Sequence, residues 1–225
     1  MRSDAEALDA RDLLGWALEA FHPKLALACS FQKEEAVLLD LLFELEPEAR
    51  VFALDTGVLF PETYEVWRAV EERYGTVIEP WRGEWVEGLW AEDPGRCCHL
   101  RKVEPLARAL AGQEAWISSI RREQTTSRAQ ARVLEHDAVH GLVKINPLAG
   151  WTRARVWDHL TTYDVPVNTL HAHGYPSVGC LPCTSRVAPG ESERAGRWRG
   201  QGKTECGIHS RPRPGLVPAT EGAAR

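Results

Sequence analysis

Leu25-Ala26-Leu27-Ala28-Cys29 is followed by Ser30-Phe31-Gln32 and then by an apolar-periodic stretch from Lys33 to Leu45. The first run is short enough for a buried strand, the second is a polar turn, and the third has helix length. The same unit recurs downstream. Val51-Phe52-Ala53-Leu54 reads as a second strand, breaking at Asp55-Thr56-Gly57. Pro61 sits where the first turn of the next helix should begin, and Trp67, Val70 and Tyr74 continue its apolar face. Thr76-Val77-Ile78-Glu79, Ala115-Trp116-Ile117-Ser118-Ser119 and Leu142-Val143-Lys144-Ile145-Asn146 are the third, fourth and fifth strands expected.

Upstream, Ser3-x-x-Glu6 reads as a capping box opening a helix that runs to about Ala20. A further helix after Thr152 carries Val156, Trp157 and Leu160. Strands alternating with helices imply an α/β fold of right-handed β-α-β units, with a mostly parallel, Rossmann-like sheet covered on both faces. Ligands in such sheets bind beyond the C-terminal strand ends. Here those ends carry Ser30-Phe31-Gln32, Asp55-Thr56-Gly57 and Ser118-Ser119-Ile120-Arg121-Arg122. From about His171 the pattern dissolves into Gly, Pro, Ser and Arg. The expected organisation is one domain over 1–184 and a tail over 185–225 that is flexible unless docked.

The 225-residue chain is long enough for a substantial core, and its 44% hydrophobic content is ordinary for a globular protein. A net charge of -5 argues against nucleic-acid binding, although local arginine concentrations suit a small anion. No apolar run approaches the roughly 18 residues of a membrane span. The polar start, Met1-Arg2-Ser3-Asp4-Ala5-Glu6, lacks a secretory core, so the expected location is the cytoplasm. Six cysteines in a reducing compartment point to metal binding or catalysis rather than disulfides.

Five of those cysteines form a pattern: the adjacent Cys97-Cys98, the C-x-x-C of Cys180 and Cys183, and Cys206 in Glu-Cys-Gly-Ile-His. Four thiolates in two clusters match the ligand demand of an iron–sulfur cluster or a structural zinc. Neighbouring side chains do not easily meet one tetrahedral ion, whereas a cubane offers separate iron corners, which favours 4Fe–4S. Cys29, inside an apolar strand, reads as a small buried hydrophobe. Cys206 is placed like a mobile nucleophile, with Lys203, His209 and nearby arginines favouring its thiolate. Arg194, Arg197 and Arg199 on the same tail are suited to fold over a bound anion with it.

At the strand ends, Ser30 and its turn suit a phosphate or sulfate group; the plainer reading is an N-cap serine. Asp55 is either an acceptor for a ribose or adenine group or part of a tight Asp-Gly turn. The stretch Arg121-Arg122-Glu123-Gln124-Thr125-Thr126-Ser127-Arg128 offers guanidinium forks and hydroxyls to an oxyanion, or is a solvated loop.

Seven stretches together carry a family resemblance. They are Cys29-Ser30-Phe31-Gln32-Lys33-Glu34-Glu35, Leu54-Asp55-Thr56-Gly57-Val58-Leu59-Phe60-Pro61-Glu62-Thr63, Cys97-Cys98-His99-Leu100-Arg101-Lys102-Val103-Glu104-Pro105-Leu106, Ile120-Arg121-Arg122-Glu123-Gln124, Gly179-Cys180-Leu181-Pro182-Cys183-Thr184, Arg194-Ala195-Gly196-Arg197-Trp198 and Lys203-Thr204-Glu205-Cys206-Gly207-Ile208-His209. In this order the chain resembles the assimilatory adenylylsulfate reductases within the wider phosphoadenylylsulfate reductase family.

The resemblance implies an adenine-nucleotide α-hydrolase-like fold and a 4Fe–4S cluster on Cys97, Cys98, Cys180 and Cys183. It implies reduction of adenosine 5′-phosphosulfate (APS) to sulfite and AMP, with thioredoxin as donor, in assimilatory sulfate reduction and cysteine biosynthesis. Cys206 would attack the sulfur, leaving an S-sulfocysteine that a thioredoxin thiolate resolves. Substrate contacts are expected from Ser30, Gln32, Asp55, Lys102, Arg121, Arg194, Arg197 and His209. The two cysteine pairs point to APS over its 3′-phosphorylated form, because members using the latter generally lack them. Ser119 before Ile120 departs from an expected glycine. The alternatives are a 3′-phosphoadenylylsulfate reductase, an ATP-using sulfur transferase of the same fold, which would need a Ser-Gly-Gly-x-Asp-Ser loop, and a zinc-stabilised binding module.

Overall fold

The computed structural model describes residues 5–209. Ser3 and residues 210–225 of the expected tail lie outside the described residues. Helix α1 (Ala10–Phe21) starts at Asp9, whose carboxylate accepts from the Asp12 amide at 3.0 Å. Residues 6–8 form a turn and bend, so the helix expected to run unbroken to about Ala20 is broken before Ala10 and restarts at Asp9, whose side chain satisfies one of the orphan amides of the first turn.

The sheet contains β1 (Leu25–Cys29), β2 (Arg50–Leu54), β3 (Glu79–Trp81), β4 (Ala115–Ile117), β5 (Leu134–Asp137) and β6 (Leu142–Ile145). Their spatial order is β3-β2-β1-β4-β6-β5. All neighbours pair in parallel except β5 with β6. Between the strands run α2 (Lys33–Leu45), α3 (Pro61–Tyr74), α4 (Leu89–Glu92), α5 (Pro94–Cys98) and α6 (Glu104–Leu110), and α7 (Arg153–Thr162) follows β6.

Strand alternation divides the core. Leu25, Leu27 and Cys29 pack with Leu13, Leu14, Val37, Leu38, Val66 and Val156 on one face. Ala26 turns the other way, joining Phe52, Trp116, Leu106 and Leu110 under α6. Burial on both faces is what a parallel sheet requires, and it explains the near-continuous apolar run of β1.

The third strand is displaced from its expected position. Gly75 ends α3 in the left-handed region at φ 63°, and the Ile78 amide donates to the Glu71 carboxylate at 2.8 Å instead of to a ladder. Val77 is therefore 84% exposed, and pairing starts at Glu79. β3 tolerates Pro80 because it is an edge strand. Strand β5 was not expected from the sequence. It forms a hairpin with β6 through a turn in which the Asp137 carboxylate accepts from the amides of Val139 and His140.

β1 connects onward to β2 on one side and lies beside β4 on the other, so the strand order switches direction at β1/β4. That junction is where an open α/β sheet leaves a crevice. Among the described residues, no helix is long and apolar enough to cross a membrane.

Candidate active site

A cleft opens at this junction. Its floor comes from the strand ends: Cys29 to Glu35 after β1, Ala53 and Leu54 on β2, and Trp116, Ser118 and Ser119 on β4. Its roof comes from the C-terminal segment, including Arg194, Arg197, Trp198, Glu205, Cys206 and His209, and Lys102 and Arg128 complete the wall.

The turn after β1 is held in an uncommon shape. Phe31 adopts φ 56°, a region that bulky side chains rarely occupy, and its ring stacks on Trp67 with centroids 4.8 Å apart. The helix cap is Gln32, not Ser30. Gln32 leaves its own helix uncapped and accepts instead from the Val178 amide at 2.8 Å, which ties this turn to the segment that leads to Cys180. Ser30 donates to Glu35 Oε1 at 3.0 Å, as does Ser119 at 2.6 Å. The second Glu35 oxygen is buried without a partner. Burial, reinforced by the like charge of Glu34, pushes the Glu35 carboxyl up to about 7.

The two cysteine pairs meet in a second, smaller cavity lined by Cys97, Cys98, Cys180 and Cys183 together with Thr56, Trp90, Arg101, Lys102, Arg197 and Trp198. Asp93 caps α5 by accepting from the Arg96 amide at 2.9 Å, and this short helix buries Cys97 and Cys98. It runs into a π-type turn, His99–Val103, of the kind often found at functional sites. Arg101 in that turn donates to the carbonyls of Thr56 and Val86, and its guanidinium lies 4.0 Å from the Trp85 ring centroid. Cys180 Sγ lies 3.3 Å from Thr56 Oγ1.

Burial, with neighbouring thiolates, pushes the Cys183 thiol up to about 11. At Cys180 burial acts the same way, but Lys102, Thr56 and Arg197 outweigh it and lower its pKa. Four thiols facing one cavity walled by three cations suit an anionic metal cluster ligated by thiolates. Among the described residues no three His, Cys, Asp or Glu side chains converge as a single ion would need.

Lys102, Arg197 and Trp198 line both cavities. Burial opposes the Lys102 charge, but the thiolates of Cys180 and Cys206 favour it and raise its pKa. Arg197 donates to the Val178 carbonyl at 3.0 Å and sits 4.6 Å from the Trp198 ring centroid. Cys206 packs against the cluster formed by Cys98, Cys183 and Trp198, so its thiol lies beside the shared wall. His209 stacks on Trp116 with centroids 5.9 Å apart, and Lys144 Nζ is 3.5 Å from its Nδ1. Burial and the cations Lys144, Arg128 and Arg194 hold the imidazole pKa well below the usual value, so it is neutral. Arg194 is drawn down by burial to about 10 and keeps its charge at neutral pH.

The cleft thus gathers Ser30, Gln32, Lys102, Arg194, Arg197, Cys206 and His209. Two expected contacts lie outside its lining. Arg121 is fully buried and forks onto Glu34, with Nε and Nη2 both 3.0 Å from Oε1, while Nη1 reaches Glu123 at 2.8 Å. A buried carboxylate on α2 needs a paired cation, and Arg121 supplies it. Asp55 is also occupied, accepting from Tyr64 Oη at 2.7 Å, the Gly57 amide at 3.0 Å and Arg82 Nε at 2.8 Å. Glu35, Glu205 and Lys144 were not singled out from sequence. For Glu35 and Glu205 the available signal was their place inside the motifs Lys33-Glu34-Glu35 and Glu205-Cys206-Gly207-Ile208-His209; nothing local marked Lys144.

Comparison with known proteins agrees with this architecture. The family described as "Phosphoadenosine phosphosulfate reductase domain" matches residues 24–186. The chain is 41% identical over 217 residues to a protein of Geobacillus kaustophilus named adenosine 5′-phosphosulfate reductase, covering 92% of each chain. It is 42% identical over 212 residues to a protein of that name from Shouchella clausii, covering 90% of this chain and 88% of the relative. A crystal structure of phosphoadenylyl-sulfate reductase from Candida auris superposes with a TM-score of 0.71 at 29% identity, covering 80% of this chain and 91% of that one. The Candida glabrata FMN adenylyltransferase bound to FAD and pyrophosphate, at a TM-score of 0.62 and 16% identity over 81% of this chain and 65% of that one, shares the fold alone. By the extent of these matches, the chain belongs to the phosphoadenosine phosphosulfate reductase family.

Proposed function

We propose that the protein reduces APS to sulfite and AMP, with Cys206 as nucleophile and a thioredoxin-type dithiol as reductant. The observation that carries this reading is the wall of Lys102, Arg197 and Trp198 common to the strand-end cleft and the four-cysteine cavity, with Cys206 beside it. The Cys206 thiolate attacks the sulfate sulfur, forming a Cys206 S–S bond to the sulfo group. The sulfur–oxygen bond to AMP breaks, and AMP leaves with the electron pair. A dithiol thiolate then attacks Cys206 Sγ and expels sulfite; its second thiol closes a disulfide and returns Cys206 to the thiol. The dithiol supplies both electrons.

Lys102, Arg194 and Arg197 hold the charge of the phosphosulfate and align its sulfur with the thiolate. Neutral His209 adds a hydrogen bond without adding charge. Cys97, Cys98, Cys180 and Cys183 would hold a 4Fe–4S cluster, which when bound ties the two cysteine segments together and sets negative charge beside Lys102. Residues 185–209, a cytoplasmic setting, assimilatory sulfate reduction and a thioredoxin partner belong to the same reading, in which the tail closes over bound substrate.

The test is anaerobic purification followed by a visible spectrum, iron and acid-labile sulfide content, and an assay for sulfite and AMP from APS with thioredoxin. Sulfite formation that is abolished by Cys206→Ser, with iron content unchanged, supports the reading. A colourless protein holding one zinc, or a Cys206→Ser variant that still makes sulfite, overturns it. The second reading is use of the 3′-phosphorylated nucleotide, favoured by the likeness to the Candida auris enzyme. The ratio of kcat/KM for the two substrates decides between them.

A further inference from the structure

The residue before Cys206 is held by two arginines from different parts of the chain. Arg128, in a short turn after β4, grips the Glu205 carboxylate with both arms of its fork: Nε to Oε1 at 3.1 Å and Nη2 to Oε2 at 2.9 Å. Arg194 adds Nη2 to Oε2 at 3.1 Å, and the same nitrogen donates to the Thr204 carbonyl at 3.0 Å. Arg128 is itself steadied by Gln124 Oε1 at 2.6 Å. Side-chain exposures are 11% for Arg128, 14% for Arg194 and 24% for Glu205, so the triad is largely shielded from water. Bidentate guanidinium–carboxylate geometry fixes orientation as well as adding energy, whereas exposed ion pairs contribute little.

On the other side of Cys206, Gly207 takes φ 101° and His209 lies against Trp116. The nucleophile therefore hangs between two anchors, with a glycine in the left-handed region beside it. Both arginines line the cleft as well.

We infer that Glu205 is a positioning residue that docks Cys206 over the cleft through Arg128 and Arg194. The inference rests on Cys206 being the nucleophile. Without the carboxylate the two guanidiniums remain in the cleft, so anion binding persists while the thiol loses its fixed approach. Loss of a positioning group lowers kcat and leaves KM unchanged or lower.

The experiment uses the anaerobically purified full chain, comparing Glu205→Gln, Glu205→Asp and Cys206→Ser. Glu205→Gln is expected to lower kcat about tenfold or more, with KM for APS unchanged or reduced. In the absence of substrate, Cys206 should react faster with iodoacetamide, read by mass spectrometry. Glu205→Asp, which keeps the charge, is expected to recover part of kcat and slow the alkylation. Glu191→Gln, which removes an exposed partner of Arg199 on the same segment, serves as control and should leave both readouts unchanged. Unaltered kcat and alkylation in Glu205→Gln would overturn the inference, as would a raised KM at unchanged kcat. Sulfite production by Cys206→Ser would instead overturn the assignment of the nucleophile, a separate result.

Discussion

Gly179 is backed by the guanidinium of Arg197, so that a Cβ built on this glycine would collide with Nη2, Cζ and Nη1. The glycine is required for space and not for an unusual φ. It lies one residue before Cys180, so the close approach lets Arg197 lie along the wall common to both cavities.

Gly179→Ala should fold, because the colliding atoms are the end of a flexible side chain, but it should push Arg197 off the wall. The expected result is a drop in kcat/KM of about tenfold or more, with only a small change in Tm. Steady-state kinetics and a thermal melt check both halves. Kinetics equal to those of the unaltered protein would remove Arg197 from the reaction.

Lys102→Ala deletes the cation between Cys180 and Cys206. A charge-assisted hydrogen bond lost from a shielded site corresponds to about a tenfold to hundredfold loss in kcat/KM for APS. Metal content measured alongside should not change, since no cysteine is removed.

Glu35 makes stability depend on pH. Its carboxyl is raised from an ordinary 4.5 to about 7 by burial first and by Glu34 second. The stability that belongs to the neutral form is complete below 4.5 and is lost as pH rises through about 7. Glu35→Gln keeps an acceptor for Ser30 and Ser119 and cannot ionise. It should therefore stabilise the protein at pH 8, by up to about 3 kcal/mol, and make little difference at pH 4.5. Denaturant melts at the two pH values test the sign.

His209 works in the opposite direction. Its pKa is depressed by burial and by the cations around it, so docking is fully favourable above the unfolded value near 6.5 and weakens as pH falls below it. Proteolysis of residues 199–209 should accelerate between pH 7.5 and 5.5. In His209→Asn the rate should lose that pH dependence.

Much of the fold was legible because its signals are local. The β1 run, the turn of Ser30, Phe31 and Gln32, and Pro61 at the start of α3 each declare themselves within a few residues. The errors fall where a local signal was overridden. Ile78 gave its amide to Glu71, and β3 took up a proline that a central strand would reject. β5 is short and polar and depends on β6 for its hydrogen bonds.

The site divides along the same line. By itself the sequence determined the α/β alternation, the polar strand ends and the set of cysteines with metal-ligand and nucleophile spacing, because each is a pattern within one short stretch. Only the tertiary structure decided which charges face the cleft. Arg121 is spent on Glu34, 87 positions away, while Arg128 reaches Glu205 across 77. Which carboxylate an arginine meets is set by where the sheet and the C-terminal segment carry the two side chains, and neighbouring residues hold no record of that.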